Sequence, residues 1–269
     1  MTEINIDLVK ELRAQTGVSI MQCKKALEEA EGDIEKAKVA LTKKSGEIAA
    51  KKGDRDLNSG VILTVTEGNK GAIFEIGCET DFVANNEDFQ KTAGEVAQMI
   101  FGGTDKNADE VKEKLSEATQ KFGERIEVVR IENKEGAFGT YVHNNKSVGA
   151  IVVFKAEDDS VFSKEGFEQM AKDVAMHIAA QHPKYLKKED IDSHEMETAT
   201  ETLKEEVKDK PVEMQDKILE GKINAYFKER VLETQSFIKN PEITVKQLVE
   251  NFGEGLEIVE FTRFGVAED

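Results

Sequence analysis

At 269 residues, with 39% hydrophobic and 34% charged residues, no Trp and three Pro, the chain has apolar material for one large core or two to four small domains. That composition excludes a disordered protein, and 54 acidic against 37 basic residues, a net charge of −17, argues against direct nucleic-acid binding, which needs clustered Lys and Arg. Cys23 and Cys78 stand apart, without a CxxC pair or a His at metal-ligand spacing, so a disulfide framework and a zinc site are not expected; both read as buried, reduced thiols.

The opening stretch MTEINIDLVKEL is acidic and amphipathic, unlike a signal or transit peptide, and no apolar run reaches membrane-spanning length; a bacterial cytoplasmic location without membrane attachment is expected. Over residues 5–16, Leu8, Val9 and Leu12 share one helical face, and Gly17 supplies a left-handed stop. Ser19 and Gln22 form a capping box for a second helix, with Val18 stapled onto Cys23. Gly32 ends that helix and Asp33 caps a third, DIEKAKVALTKK, which makes a three-helix module of about 45 residues. The stretch GEIAAKKGDRDLNSG then reads as a linker. Residues 1–54 hold ten basic and ten acidic residues, so the whole charge surplus lies beyond them.

From Gly60 the apolar period changes to two, and VILTVTEGNKGAIFEIGCE reads as two strands about a turn at Glu67-Gly68-Asn69-Lys70. Two helices separated by Phe101-Gly102-Gly103-Thr104 follow, then the strand IEVVRIE. A second copy appears at an offset of 78: the thirty residues from Gly71 match those from Gly149 at twelve positions, among them Gly71/Gly149, Asp81/Asp159, Phe89/Phe167 and Val96/Val174. Two similar lobes are implied, each a small sheet covered on one face by helices.

The copies differ at one telling place. Phe82 corresponds to Ser160, although Asp81 and Val83 keep their counterparts Asp159 and Val161. If the shared architecture required Phe82 inside, the sister lobe would keep an apolar residue there, so external exposure of Phe82 is expected; the alternative is that Phe162 fills the equivalent hole. Residues 193–210 and the run VEMQDKILEGKINAYFKERVLETQSF read as two antiparallel helices broken at Pro211, with Met214, Ile218, Leu219, Tyr226, Val231 and Leu232 in apolar stripes. They form a hairpin that either projects from the second lobe or lies flat on it, before a closing strand GLEIVEFTRFG.

No P-loop, GxSxG elbow or dinucleotide fingerprint is present, the glycines sit at turns and caps, and the four His are scattered. His177 reads as a packing residue, and most Asp and Glu read as solvated helix faces. No catalytic residues, metal ligands or cofactor are expected. The fold class is α+β, divided into residues 1–54, a first lobe 55–138, the start of a second lobe 139–191, the hairpin 192–238 and a closing segment 239–269.

Two stretches, LRAQTGVSIMQCKKAL (Leu12 to Leu27) and EIGCETDFVAN (Glu75 to Asn85), resemble the signature stretches of bacterial elongation factor Ts, the guanine-nucleotide exchange factor family acting on elongation factor Tu. The order of parts is similar too, which implies a ubiquitin-associated-like (UBA-like) N-terminal domain, a two-lobed core and a coiled-coil hairpin. The sequence departs from the usual pattern at Ile20, Gln22 and Gly77, and ends without an additional C-terminal helix that some members place on the partner.

The resemblance implies that Thr80, Asp81, Phe82 and Val83 enter the GTPase domain of elongation factor Tu near its Mg²⁺ and phosphates, with Phe82 as a wedge. It implies that Arg13, Ile20 and Met21 meet a helix of that domain, the alternative being that Ile20 and Met21 are core residues of the module. Phe122 and His143 fall where family members contact the partner near its phosphate-binding region. The partner would be bound in its GDP and nucleotide-free states, the hairpin would touch its other domains or a second copy, and a homodimer or 2:2 complex would follow. Two rival readings are a UBA-type adaptor and a chaperone-like protein that clamps with its hairpin.

Overall fold

The computed structural model describes residues 5–51, 55–209 and 211–268, the side chains of 45–51 excepted, so residues 52–54 of the expected linker lie outside the described residues. Three helices open the chain: α1 (Ile6–Thr16), α2 (Ile20–Glu29) and α3 (Ile34–Lys51). Gly17 ends α1 at φ 68°, where a Cβ would be strained, and Asp33 Oδ1 accepts from Lys36 N–H at 3.0 Å to start α3. Val9, Leu12, Val18, Cys23, Leu27, Ala37 and Leu41 close into one small core.

Two expectations for this module need correction. The Ser19 box is only half formed: Ser19 Oγ accepts from Gln22 N–H at 3.3 Å, but Gln22 Oε1 takes the Ser19 hydroxyl at 3.1 Å instead of the Ser19 backbone N–H. The third helix runs on through the first part of the expected linker to Lys51. Glu47, Ala49, Ala50 and Lys51 are good helix formers, and an interior Gly46 costs only about 1 kcal/mol.

Next come β1 (Ser59–Glu67) and β2 (Lys70–Cys78), joined by a two-residue turn with Gly68 at φ 58°. A single-turn helix α4 (Asp81–Ala84) leads into α5 (Glu87–Phe101) and α6 (Asp109–Phe122), and β3 (Glu127–Glu135) completes an antiparallel sheet of order β1-β2-β3. The second lobe has β4 (Ala137–Val142), β5 (Val148–Lys155), a 3-10 turn at Asp159–Ser163 and α7 (Phe167–Gln181). After the hairpin helices α8 (Ser193–Val207) and α9 (Val212–Lys228) come the short pair β6 (Ser236–Phe237) and β7 (Asn240–Thr244), α10 (Val245–Phe252) and β8 (Glu257–Gly265). Strand β8 pairs with β5, giving a second sheet of order β4-β5-β8.

The internal repeat is visible in the backbone. Both copies supply the central strand of a three-stranded sheet, and both carry an irregularity at the same repeat position, Glu75/Ile76 in β2 and Val153/Phe154 in β5. Along β2, Ala72, Phe74, Ile76 and Cys78 face α4, α5 and α6, while Ile73 faces the other lobe, where it meets Ile62, Ile151 and Phe264. Thus the central strand of each sheet is buried on both faces, by helices on one and by the other lobe on the other. The shared glycines mark the closest approach: a Cβ at Gly71 would lie 3.0 Å from Ile151 Cδ1, and one at Gly149 would lie 2.7 Å from Ile62 Cγ2.

The antiparallel course of α8 and α9 follows from its cross-links, with Ala199 packed with Phe227 at the base and Glu206 ion-paired to Lys222 at 2.6 Å nearer the turn. Helix α9 stops at Lys228, so Val231 and Leu232 are not on its stripe: Val231 bridges in parallel to Tyr185, and Leu232 sits in the core of the second lobe. Val212 and Met214, near the hairpin turn, are exposed. Among the described residues, no helix is long and apolar enough to cross a membrane.

Candidate functional site

The connection from β2 to α5 is built from the inside outward. Thr80 is the N-cap of α4, its Oγ accepting from Val83 N–H at 3.4 Å. Val83 and Ala84 turn inward and join the core of the first lobe with Val61, Cys78 and Phe89. Two residues are left pointing outward: Asp81 is exposed, and Phe82 leaves 85% of its surface open. The alternative that the ring fills its own lobe is thereby excluded. Phe162 packs against Phe167 in the second lobe at 5.2 Å between centroids, but its repeat partner is Ala84, not Phe82.

Four residues were expected to contact a partner here, and the structure divides them. The Thr80 side chain, half-buried, is engaged in the cap and with Glu124, and Val83 is 8% exposed, so these two hold the segment from within while Asp81 and Phe82 are its exposed side chains. The far end of α4 is held as well: Gln90 Nε2 donates to Ala84 O at 3.0 Å, and Lys146 Nζ donates to Gln90 Oε1 at 2.8 Å. Lys146 belongs to the β4–β5 turn that carries His143, so the Phe82 and His143 segments share one hydrogen-bonded connection. His143 is exposed, with Nδ1 3.0 Å from Tyr141 Oη.

Phe122 packs at the end of α6 and keeps part of its surface open. It is half-buried, edge-on to Phe89 at 6.2 Å with Lys121 Nζ 5.5 Å from its ring. In the N-terminal module, Ile20 and Met21 stand 55% and 75% exposed in the first turn of α2, which rules out their being core residues. Arg13, also exposed, lines with Ile6, Ile20 and Lys24 one wall of a groove of about 770 Å³. Asp88 and Lys121, an ion pair at 2.7 Å, form the core side of that groove. Asp88 lies in the first turn of α5, six residues after Phe82.

Several features escaped sequence reasoning. Glu75 is 2% exposed on the inner face of β2, paired with Arg130 Nε at 2.6 Å and accepting from Ala267 N–H at 3.2 Å, while Arg130 also donates to Gly265 O at 2.8 Å. A buried carboxylate thereby ties the end of β8 to the first lobe. Gly77 also has a local reason: a Cβ there would meet Val129 Cγ2 at 2.9 Å and Leu57 Cβ at 3.1 Å, so these side chains fill the space a larger residue would need. Burial pushes the Cys78 thiol up to about 12, helped by the Glu124 carboxylate, so this thiol is inert. His177 is buried, with Nε2 2.8 Å from Gln235 Oε1 and Nδ1 accepting from Ile238 N–H at 3.2 Å; desolvation lowers its pKa and keeps it neutral, as a packing role requires. Among the described residues, no three His, Cys, Asp or Glu are grouped to hold a metal.

The family model for Elongation factor TS matches residues 79–268, which take in Phe82, the second lobe, the hairpin and β8. The chain belongs to the elongation factor Ts family. The matched span begins where β2 ends, so both the exposed Phe82 segment and its Ser160 counterpart lie inside it. With its ten helices among the described residues, small antiparallel sheets and N-terminal three-helix segment, the α+β architecture agrees with that membership.

Proposed function

We propose that the chain binds elongation factor Tu in its GDP form and speeds GDP release by inserting Phe82, with Asp81 beside it, next to the Mg²⁺ and phosphate site of that partner. One observation carries the reading: a large aromatic ring stands almost wholly in water on a segment that is otherwise tightly braced. Burying such a ring yields about 1.5–3 kcal/mol, enough to offset a small displacement of partner helices. Mg²⁺ demands near-octahedral geometry and is held partly through nucleotide phosphate, so a small shift weakens metal and nucleotide together.

No bond is made or broken in this cycle. Whatever factor the chain takes from nucleotide affinity, nucleotide takes from the affinity of the chain, so GTP rebinding expels it. Arg13, Ile20 and Met21 serve as a second contact from a UBA-like module within residues 1–54. The lobes (55–138; 139–191 with 239–269) act as the scaffold and the coiled-coil hairpin (192–238) as an arm toward other domains of the partner or a second copy, giving a 1:1 or 2:2 complex in the cytoplasm. His143 is a further contact, brought into register with Phe82 through Gln90 and Lys146.

The test is stopped-flow release of fluorescent GDP from elongation factor Tu. The wild-type chain is expected to accelerate release in a concentration-dependent, saturable way, and Asp81→Ala to blunt it. No acceleration by the wild-type chain overturns the reading. Activity that survives Phe82→Ala but is lost on deleting the hairpin would favour a clamp, and a peptide ligand for the isolated module would favour an adaptor.

A further inference from the structure

A one-turn helix cannot hold itself together in water, because nucleation fixes several residues for each hydrogen bond formed. Helix α4 has four residues and carries the exposed Phe82, so something outside it must set its direction. Its leading end is held by the carboxylate of Glu124, 44 residues further on. Glu124 Oε2 accepts from both Glu79 N–H and Thr80 N–H at 3.0 Å, and Oε1 accepts from the Thr80 hydroxyl at 2.6 Å. The hydroxyl in turn receives Val83 N–H, so one carboxylate fixes the donors that lead into the helix. Gly123, at φ 71°, ends α6 and turns the chain so that Glu124 meets the loop; Glu79 Oε1 answers by accepting from Arg125 N–H at 2.7 Å.

The sister lobe shows that this arrangement is not a requirement of the fold. Thr80 corresponds there to Asp158, whose own carboxylate accepts from Ser160 N–H at 2.9 Å and from Ser160 Oγ at 2.7 Å. That turn caps itself with a neighbouring residue. Only the copy with Phe82 takes its carboxylate from a distant element, and that element is the corner following Phe122.

We propose that Glu124 is a positioning residue for exchange: through Thr80 it fixes the start of α4 so that Phe82 is presented in one direction. The proposal rests on the exchange reading above for its activity arm, but its structural arm does not. Since the chain contains no Trp, Phe82→Trp places a single indole at the wedge position, and its fluorescence anisotropy in the full-length chain reports local order without any partner. Adding Glu124→Ala should lower that anisotropy, and Glu124→Gln, which keeps an acceptor for the two N–H groups, should restore most of it. Thr80→Val serves as the second perturbation if Glu124→Ala folds poorly.

In the exchange assay, Glu124→Ala should slow saturating release by about tenfold, the worth of a charged hydrogen-bond set, with a smaller change in the half-saturating concentration. In a Phe82→Ala background it should cost nothing more, because it acts through that ring. Multiplying losses in the double variant, or an unchanged anisotropy, overturn the proposal. A lowered anisotropy together with a wild-type chain that does not accelerate release would leave Glu124 ordering the loop and overturn the exchange function instead.

Discussion

Phe82 and Val83 are neighbours on one helical turn with opposite fates, and substituting each by Ala separates function from stability. Phe82 is 85% exposed, so Phe82→Ala removes little buried surface; it should change stability by no more than about 0.5 kcal/mol, which for a chain of this size is about 1–2 °C in melting temperature. The same ring, if buried in the partner during exchange, is worth about 1.5–3 kcal/mol, so its removal should slow saturating GDP release by about 10- to 150-fold. Val83 is 8% exposed, within the cluster of Val61, Cys78 and Phe89. Deleting two of its methyl groups should cost about 1.5–3 kcal/mol by lost transfer energy and residual cavity, and lower the melting temperature by several degrees. Stopped-flow release of fluorescent GDP and thermal unfolding on the same preparations read both quantities. A melting loss for Phe82→Ala as large as that for Val83→Ala, or exchange untouched by it, refutes the wedge.

Ile20→Ala with Met21→Ala should leave melting unchanged, since both side chains are exposed, but raise the half-saturating concentration in the exchange assay by about tenfold without altering the saturating rate, as loss of uniform binding does. Glu75→Val should cost about 3 kcal/mol in urea unfolding, the low end for breaking a buried pair, because Arg130 retains Gly265 O and some water; adding Arg130→Met should recover most of it. His177 is neutral in the fold with its pKa lowered, so the unfolded chain binds the extra proton: stability is held above the ordinary value of 6.5 and falls as pH drops below it. The slope from this one group is at most about 1.4 kcal/mol per pH unit, and it should be absent from the melting profile of His177→Gln between pH 5 and 7.

The caps, the Gly68-Asn69 turn and the twelve matched positions of the repeat are local signals, and they placed α1, α2, β1, β2, α5 and α7 correctly. What was illegible depended on distant partners. A period-two strand puts Glu75 on the face opposite its helices, which in a lone lobe would be solvent; only the second sheet and the end of β8 make that face interior. Glu124 resembles any acidic residue after a helix until the fold brings it to Thr80. Helix α10 has only eight residues, too few for its apolar period to stand out, although Thr244 and Gln247 form a complete capping box, with Gln247 N–H to Thr244 Oγ at 3.2 Å and Thr244 N–H to Gln247 Oε1 at 2.9 Å. The exposure of Phe82 was readable because the chain contains its own comparison at Ser160.

The segment that carries Phe82 is braced rather than free, and on the exchange reading the bracing has an energetic reason. Gly71/Gly149 and Ile73/Ile151 remain alike where the two sheets press together, so packing accounts for them. Phe82/Ser160 and Thr80/Asp158 differ where nothing in the shared fold demands a change. A mobile aromatic side chain would lose about 0.5–1.5 kcal/mol of ordering entropy on insertion, and a mobile backbone segment would lose more per residue fixed. Those losses are comparable with the whole gain of about 1.5–3 kcal/mol from burying the ring. On the exchange reading, anchoring α4 at its start through Glu124 and at its end through Gln90 moves the backbone share of that ordering cost into the folding of the lobe, so that more of the burial energy of the ring would be left for displacing the metal and phosphate site of the partner.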